Sequence, residues 1–270
     1  MAVIALSPAD LALAGILVLL LALLAFRMRL GMGWQIVIAS LRATVQLLLI
    51  GMVLKAVFAN VQLVWLVLIG LFMLLVGARE VLQRQQRPFR GHWGFTIGAT
   101  AMLVPSFTLT ALSLIAMIGI EPWYEPQYAI PLLGMLLGNT MSGIAIGLDR
   151  FTQTVWQQRA IVETRLALGA RCGEAVLEAR RDSIRSGLIP IINSMSVAGL
   201  VALPGMMTGQ ILAGSPPLEA VKYQLLIFFL IACSTGFGTI AAVWTASRRL
   251  FDERSRLRLD RLGSLRSNSH

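Results

Sequence analysis

Seven apolar stretches run along the chain: Ala9 to Phe26, Gln35 to Leu54, Leu63 to Val76 with its flanks, Phe95 to Ile118, Ile130 to Leu148, Leu188 to Ile211 and Tyr223 to Trp244. A helix rises 1.5 Å per residue, so about 20 apolar residues cross the roughly 30 Å of a bilayer's hydrocarbon. None of the stretches alternates polar and apolar residues over about 10 positions, as the strands of a membrane barrel do. The pattern predicts an all-α, polytopic integral membrane protein with seven transmembrane helices. One membrane domain is expected over residues 1–246, interrupted by a long polar connector at 149–187, with a basic tail over 247–270.

Composition agrees with the pattern. Of the 270 residues 57% are hydrophobic and 13% charged, where an ordinary soluble domain has about a quarter charged; the mean hydropathy is +0.76. The net charge of +10 would suggest a nucleic-acid partner in a soluble protein. Its distribution argues otherwise. Basic residues collect in alternate loops: Arg27 and Arg29, then Arg79, Arg84, Arg87 and Arg90, then seven arginines from Arg150 to Arg185, then seven more after Trp244, making 20 of the 23 Lys and Arg. Lys55 and Lys222 fall in the opposite loops, with Asp10, Glu121, Glu125 and Glu219. By the positive-inside rule the N-terminus is expected outside and the C-terminus in the cytoplasm. The first stretch lacks a basic leader and is expected to be retained as a helix. The tail is expected to be a solvated, frayed end or to touch anionic lipid.

Reactive side chains are few. The histidines, His92 and His270, lie in a loop and at the terminus, so neither a histidine metal cluster nor a histidine-dependent triad is expected within the membrane. Neither Lys55 nor Lys222 follows a glycine, so no Walker A loop is present and the chain is not expected to be an enzyme; any ATP hydrolysis belongs to another subunit. Cys172 and Cys233 occupy dissimilar surroundings, and no disulfide is expected.

The connector after the fifth stretch is the longest loop. Val162, Leu166, Ala170, Gly173, Leu177 and Ile184 recur at helical intervals between charges, which predicts amphipathic helix. Gly169 and Gly173 predict a bend, giving two helices at an angle, the second leading past Gly187 and Pro190 into the sixth stretch. Such an element either lies in the lipid interface or docks on a cytoplasmic partner.

Glu163-Thr164-Arg165-Leu166-Ala167-Leu168-Gly169-Ala170, followed by Pro190, resembles the EAA-type coupling loop of ABC transporter permeases, with Thr164 and Arg165 in place of the two alanines. Leu137 to Ser142 with Leu148-Asp149-Arg150, Leu203 to Leu212 with Tyr223-Gln224, and Leu41 to Leu47 are similar to segments of the FetB-type permeases, the membrane subunits of iron-export ABC transporters. That resemblance implies a permease that pairs with itself and with two copies of a separate ATPase, which binds the ATP and Mg, in a bacterial inner membrane. It implies export of iron or another metal; plant relatives are tied to aluminium tolerance and sugar-nucleotide transport, so a nucleotide sugar stands as an alternative cargo. Coupling to the ATPase is then expected through Glu163, Arg165, Leu166, Gly169 and Ala170.

Several residues place polar groups at membrane depth. Arg42 sits within an apolar span, where a cation costs about 2.5 to 3.5 kcal/mol on insertion scales, with Gln46 one turn away. Arg42 is expected to anchor at the inner interface or to face a pathway or another subunit. Asn139, Thr140, Ser142 and Asn193 either bond between helices or line the pathway. Pro204 is expected either to break its helix, so that Met206, Met207, Thr208 and Gln210 line an opened segment at the substrate pathway, or to kink it without contact to cargo. The pairs Gly94/Gly98, Gly134/Gly138, Gly143/Gly147 and Gly205/Gly209 have GxxxG spacing and are candidates for close helix contact. A competing class, a secondary transporter or channel, would require intramembrane carboxylates for ion coupling, and no Asp or Glu falls centrally in a span.

Overall fold

A computed structural model describes residues 7–59 and 61–265, and these form an all-helical protein. Among the described residues, six helices are long and apolar enough to cross a membrane. They are α1 (Pro8–Arg27), α2 (Gly33–Ala59), α3 (Leu63–Gln83), α4 (Trp93–Leu112) continued by a π-helical stretch (Ser113–Ile118), α5 (Pro126–Gln157) and α10 (Pro217–Arg249). Between the last two lie α6 (Arg159–Ala167), α7 (Cys172–Ala175), α8 (Leu177–Val197) and α9 (Gly205–Leu212).

The stretch expected to be a seventh crossing, Leu188 to Ile211, is not one helix. α8 starts ahead of the apolar run and stops at Val197; the chain turns at Gly199, whose φ of +78° suits glycine, and α9 begins after Pro204. The break therefore precedes the proline instead of following it. Pro204 has no N–H to lose and sits comfortably just ahead of a helix, where its carbonyl accepts the Thr208 N–H at 3.0 Å.

The chain divides into two compact units. In the first, α1 opens on a capping box: the Ser7 hydroxyl accepts the Asp10 N–H at 3.3 Å and the Asp10 carboxylate accepts the Ser7 N–H at 2.8 Å. α2 starts at Gly33, where a Cβ would stand 2.8 Å from the Phe26 ring, so the two helices meet through that glycine. Their remaining apolar side chains are mostly exposed, as suits helices facing lipid or another subunit.

The second unit is arranged around α5, which packs on α3, α4, α8 and α10 and buries Leu136, Ile144, Phe151 and Val155. α8 runs antiparallel to α5 and α10, and small residues let the three backbones touch. A Cβ on Gly187 would lie 2.6 Å from the Gly143 carbonyl oxygen, and one on Gly143 would lie 2.5 Å from the Thr235 methyl. Gly147 meets Thr239 in the same crossing, while Gly94 and Gly98 seat α4 against Leu82 and Val81 of α3. Gly138, Gly205 and Gly209 have open space around them, so the Gly205/Gly209 pair makes no such contact.

The tail departs from the frayed end expected of it. After α10, residues 250–263 fold back on the body: Leu250 and Leu262 are buried, the Arg90 N–H donates to the Arg261 carbonyl at 2.8 Å, and the Gly263 N–H donates to the Pro88 carbonyl at 2.7 Å. The leucines and Phe251 interleaved with the arginines give this segment an apolar side to bury. Arg266 and His270 lie outside the described residues.

Candidate functional site

Where two helices were expected, the connector is built from three, α6, the short α7 and the start of α8, with a glycine turn between the first two. Val162 of α6 and Val176, between α7 and α8, are buried in the core of the second unit, with Leu166 packed against it, so one side of the connector is anchored. Gly169 adopts φ +91° and turns the chain between α6 and α7. Gly173, expected to share in the bend, lies within α7. Arg165 bridges the turn: its Nη2 donates to Glu178 Oε2 at 3.0 Å, tying α6 to the first turn of α8. Glu178 is largely exposed and Arg165 partly so, and an exposed pair contributes about 0 to 1 kcal/mol, so its role is alignment more than stability. On the outer side of the turn Glu163 is exposed with no ion pair among the described residues, and Leu168 is 83% exposed. Ala170 is half-buried where the chain enters α7.

The ends of neighbouring helices on this side are clasped together. The Asp149 carboxylate accepts the Gln86 N–H at 2.7 Å and the Gln153 side-chain N–H at 2.6 Å, joining α5 to the loop after α3. Arg87 stacks on Trp156 at 3.9 Å, Arg249 on Trp93 at 3.9 Å and Arg248 on Trp244 at 3.6 Å. A guanidinium over an indole is attracted by the negative ring face, and tryptophan favours the boundary between hydrocarbon and water. In the tail the Asp260 carboxyl is held down to about 2, chiefly by its hydrogen bond from Arg258.

At the opposite end of α5 and α10 lies a cavity of about 290 Å³. It brings together Met206 and Gln210 of α9 with Gln127, Tyr128 and Met135 of α5 and Tyr223 of α10. Ile118, the last residue of the π-helical stretch, also lines it. The donors on offer are carboxamides, phenols, thioethers and the Ser215 hydroxyl, all neutral. Gln210 Oε1 is buried and has no hydrogen-bond partner, an acceptor without a donor. Met207 and Thr208 stand outside this lining; the Thr208 hydroxyl donates to the Pro204 carbonyl at 3.1 Å.

Along α5, Pro131, Met135, Asn139 and Ser142 follow one another at three- and four-residue intervals and so share a face. Asn139 is exposed and Ser142 half-buried, each donating back to its own helix, to the Met135 carbonyl at 2.8 Å and the Gly138 carbonyl at 3.1 Å. Asn193 of α8 is also exposed. Thr140 behaves differently: it is fully buried, and its hydroxyl lies 2.7 Å from that of Ser234, which in turn lies 3.1 Å from that of Ser106. This chain of hydroxyls ties α4, α5 and α10 together, the bonding alternative of the two expected for Thr140. Arg42 and Gln46 lie on exposed positions of α2 in the first unit. Sequence reasoning did not single out Gln127, Tyr128 or Met135, since a glutamine or tyrosine near a helix start and a methionine in an apolar run carry no distinctive spacing.

Comparison with known proteins places these features in a lineage. The family model described as "Uncharacterised protein family (UPF0014)" matches residues 8–251. The "UPF0014 membrane protein slr1647" of Synechocystis sp. is 38% identical over 84% of this chain and 87% of its own length. The "Probable iron export permease protein FetB" of Escherichia coli is 32% identical over 92% of this chain and 93% of its own. The "Protein ALUMINUM SENSITIVE 3" of Arabidopsis thaliana is 30% identical over 84% and 80%. No solved structure matches.

Proposed function

The chain belongs to the UPF0014 family of membrane proteins, and from that membership we propose that it is the membrane-spanning permease of an ABC transporter. It pairs with a second copy of itself and with two copies of a cytoplasmic ATPase, and exports iron or another metal. The likeness to a relative named as an iron export permease supports the cargo class. The observation that carries the mechanism is the connector, anchored by Val162 and Val176 on one side and presenting Glu163 and Leu168 outward on the other. A leucine 83% exposed beside an unpaired carboxylate, at a glycine-made turn, is suited to seat in a partner's groove.

Orientation follows from charge. With the clasped, arginine-rich ends inside, α5 and α10 both end in the cytoplasm, so the chain between them must cross outward before α10 returns. α8, antiparallel to both, with α9 makes that outward passage as a broken seventh crossing. The N-terminus is then outside and the C-terminus inside.

Asn139, Ser142 and Asn193 present polar groups on uncovered faces of α5 and α8, where lipid contact is unfavourable. A second copy facing them closes a central path that ends at the Met206 and Gln210 cavity. Neutral carboxamide, phenol and thioether donors hold a cation weakly enough to release it, as transit requires. ATP-driven closure of the ATPase pair moves the connector, and α8 carries that displacement from Leu177 toward the cavity.

The test is to isolate an ATPase that co-purifies with this chain and to reconstitute the pair in vesicles. Wild-type complex should show metal-stimulated ATP hydrolysis and metal movement across the vesicle wall. Glu163→Lys should leave the complex's basal hydrolysis but lower metal stimulation and transport about tenfold, the effect of losing roughly 1.4 kcal/mol of coupling. Full coupling in that variant, or transport by the permease alone under an ion gradient, would overturn the proposal.

A further inference from the structure

The folded tail encloses a cup of about 570 Å³ lined by Arg249, Arg254, Arg256 and Arg261 with Phe251, Asp252 and Glu253. Its charges are not evenly paired. Asp252 is occupied within the loop, accepting from the Arg254 N–H at 3.0 Å and from the Arg256 N–H and Nε, each at 2.8 Å. Those bonds, led by the one from the Arg256 backbone, hold its carboxyl below the ordinary aspartate range. Arg256 is thereby neutralised, whereas Arg249, Arg254 and Arg261 form no salt bridge among the described residues; Asp260 offsets Arg261 in part, and Glu253 is the lining carboxylate left for the others.

Two of these guanidinia are fixed in place. Arg249 sits over the Trp93 ring, 3.9 Å from its centre, and Arg261 Nη1 donates to the carbonyls of Arg249 at 2.6 Å and Phe251 at 3.0 Å, leaving its other N–H groups available. Guanidinium forks held in this way match a phosphate's oxygens better than a mobile ammonium does. Trp93 and Trp244 beside the cup mark the level of the membrane interface, where phosphate is present as lipid headgroup at high local concentration.

We propose that this cup is a binding site for the phosphate group of an anionic phospholipid of the inner leaflet, recognised by Arg249, Arg254 and Arg261. The site needs only the cytoplasmic placement of the tail and is independent of the ATPase.

The experiment uses the full-length protein in detergent, titrated with phosphatidylglycerol, with phosphatidylcholine or with inorganic phosphate, and read by native mass spectrometry. Wild type should retain phosphatidylglycerol at least fivefold over phosphatidylcholine and bind inorganic phosphate weakly, since a basic residue near an anionic surface contributes about fivefold in affinity. Arg254→Glu changes an exposed side chain and should remove most of that preference; adding Arg249→Gln should remove the rest. Arg181→Gln with Arg185→Gln lowers the charge equally, away from the cup, and should change retention less than twofold. Equal loss in the control, an unchanged preference in Arg254→Glu, or phosphate bound as tightly as the lipid would each overturn the proposal, the last by identifying a soluble anion as the ligand.

Discussion

The two halves of the stretch from Leu188 to Ile211 differ sharply, although both read as apolar membrane segment. The first half is held at its start: Gly187, just ahead of it, touches the backbone of α5 and the methyl of Thr239, and Ile191 is buried. The second half is loose. Leu200 and Val201 are 88% and 86% exposed, α9 buries no residue, and the glycines of α9 have nothing near them. A helix held by backbone contact moves only with its neighbours, while a segment without such contact moves alone. The difference places a rigid α5–α8–α10 body next to a hinge at Gly199 to Pro204. In the proposed mechanism, displacement entering at the connector passes through the body and is released as motion of α9 at the cavity.

The most damaging way to break this contrast is to separate the locked helices. In Gly187→Val the first added carbon would meet the Gly143 carbonyl at 2.6 Å, and backbone atoms cannot rotate away. A loss of about 3 kcal/mol or more is expected, seen as a collapse of the monodisperse peak in detergent and a lower unfolding midpoint. Wild-type stability there would mean that the crossing is not tight.

A smaller effect is expected at the hydroxyl chain. Ser234→Ala removes the group shared by Thr140 and Ser106, at a cost of about 1 kcal/mol, because each remaining hydroxyl can turn back to a carbonyl of its own helix. Chemical denaturation in mixed micelles checks the size; a loss above about 3 kcal/mol would assign the chain of hydroxyls a larger share of the rigid body than interhelical bonds ordinarily hold.

The least effect belongs to the hinge. Leu200→Ala trims an exposed side chain and should shift stability by no more than about 0.5 kcal/mol. Amide exchange followed on the same protein should be faster over 198–204 than over 183–194, and equal protection of the two segments would remove the hinge.

Much of this was legible in the residues. The bend at Gly169 followed from a glycine inside an amphipathic pattern, and Gly143/Gly147 from their spacing. Met206 and Gln210 stood out as polarisable and polar groups beside a proline. The tail was misread because its arginines hid the leucines between them: Leu257, Leu259 and Leu262 supply the contacts that fold it back. Thr140 was grouped with Asn139 and Ser142 by adjacency, yet successive helix positions are turned about 100° apart, and only one of the three faces Ser234.

What the order of residues determined alone is the helical class, the apolar stretches, the asymmetry of positive charge and the bend of the connector, because each arises from local periodicity and from the cost of placing charge in hydrocarbon. What folding decided is which glycines bear contact, where the broken segment turns, and that Met135, Gln127 and Tyr223 converge on Met206 and Gln210. Those depend on helices distant in the chain approaching one another, and the register of such contacts is set by the fit of side chains across an interface, which no single segment contains.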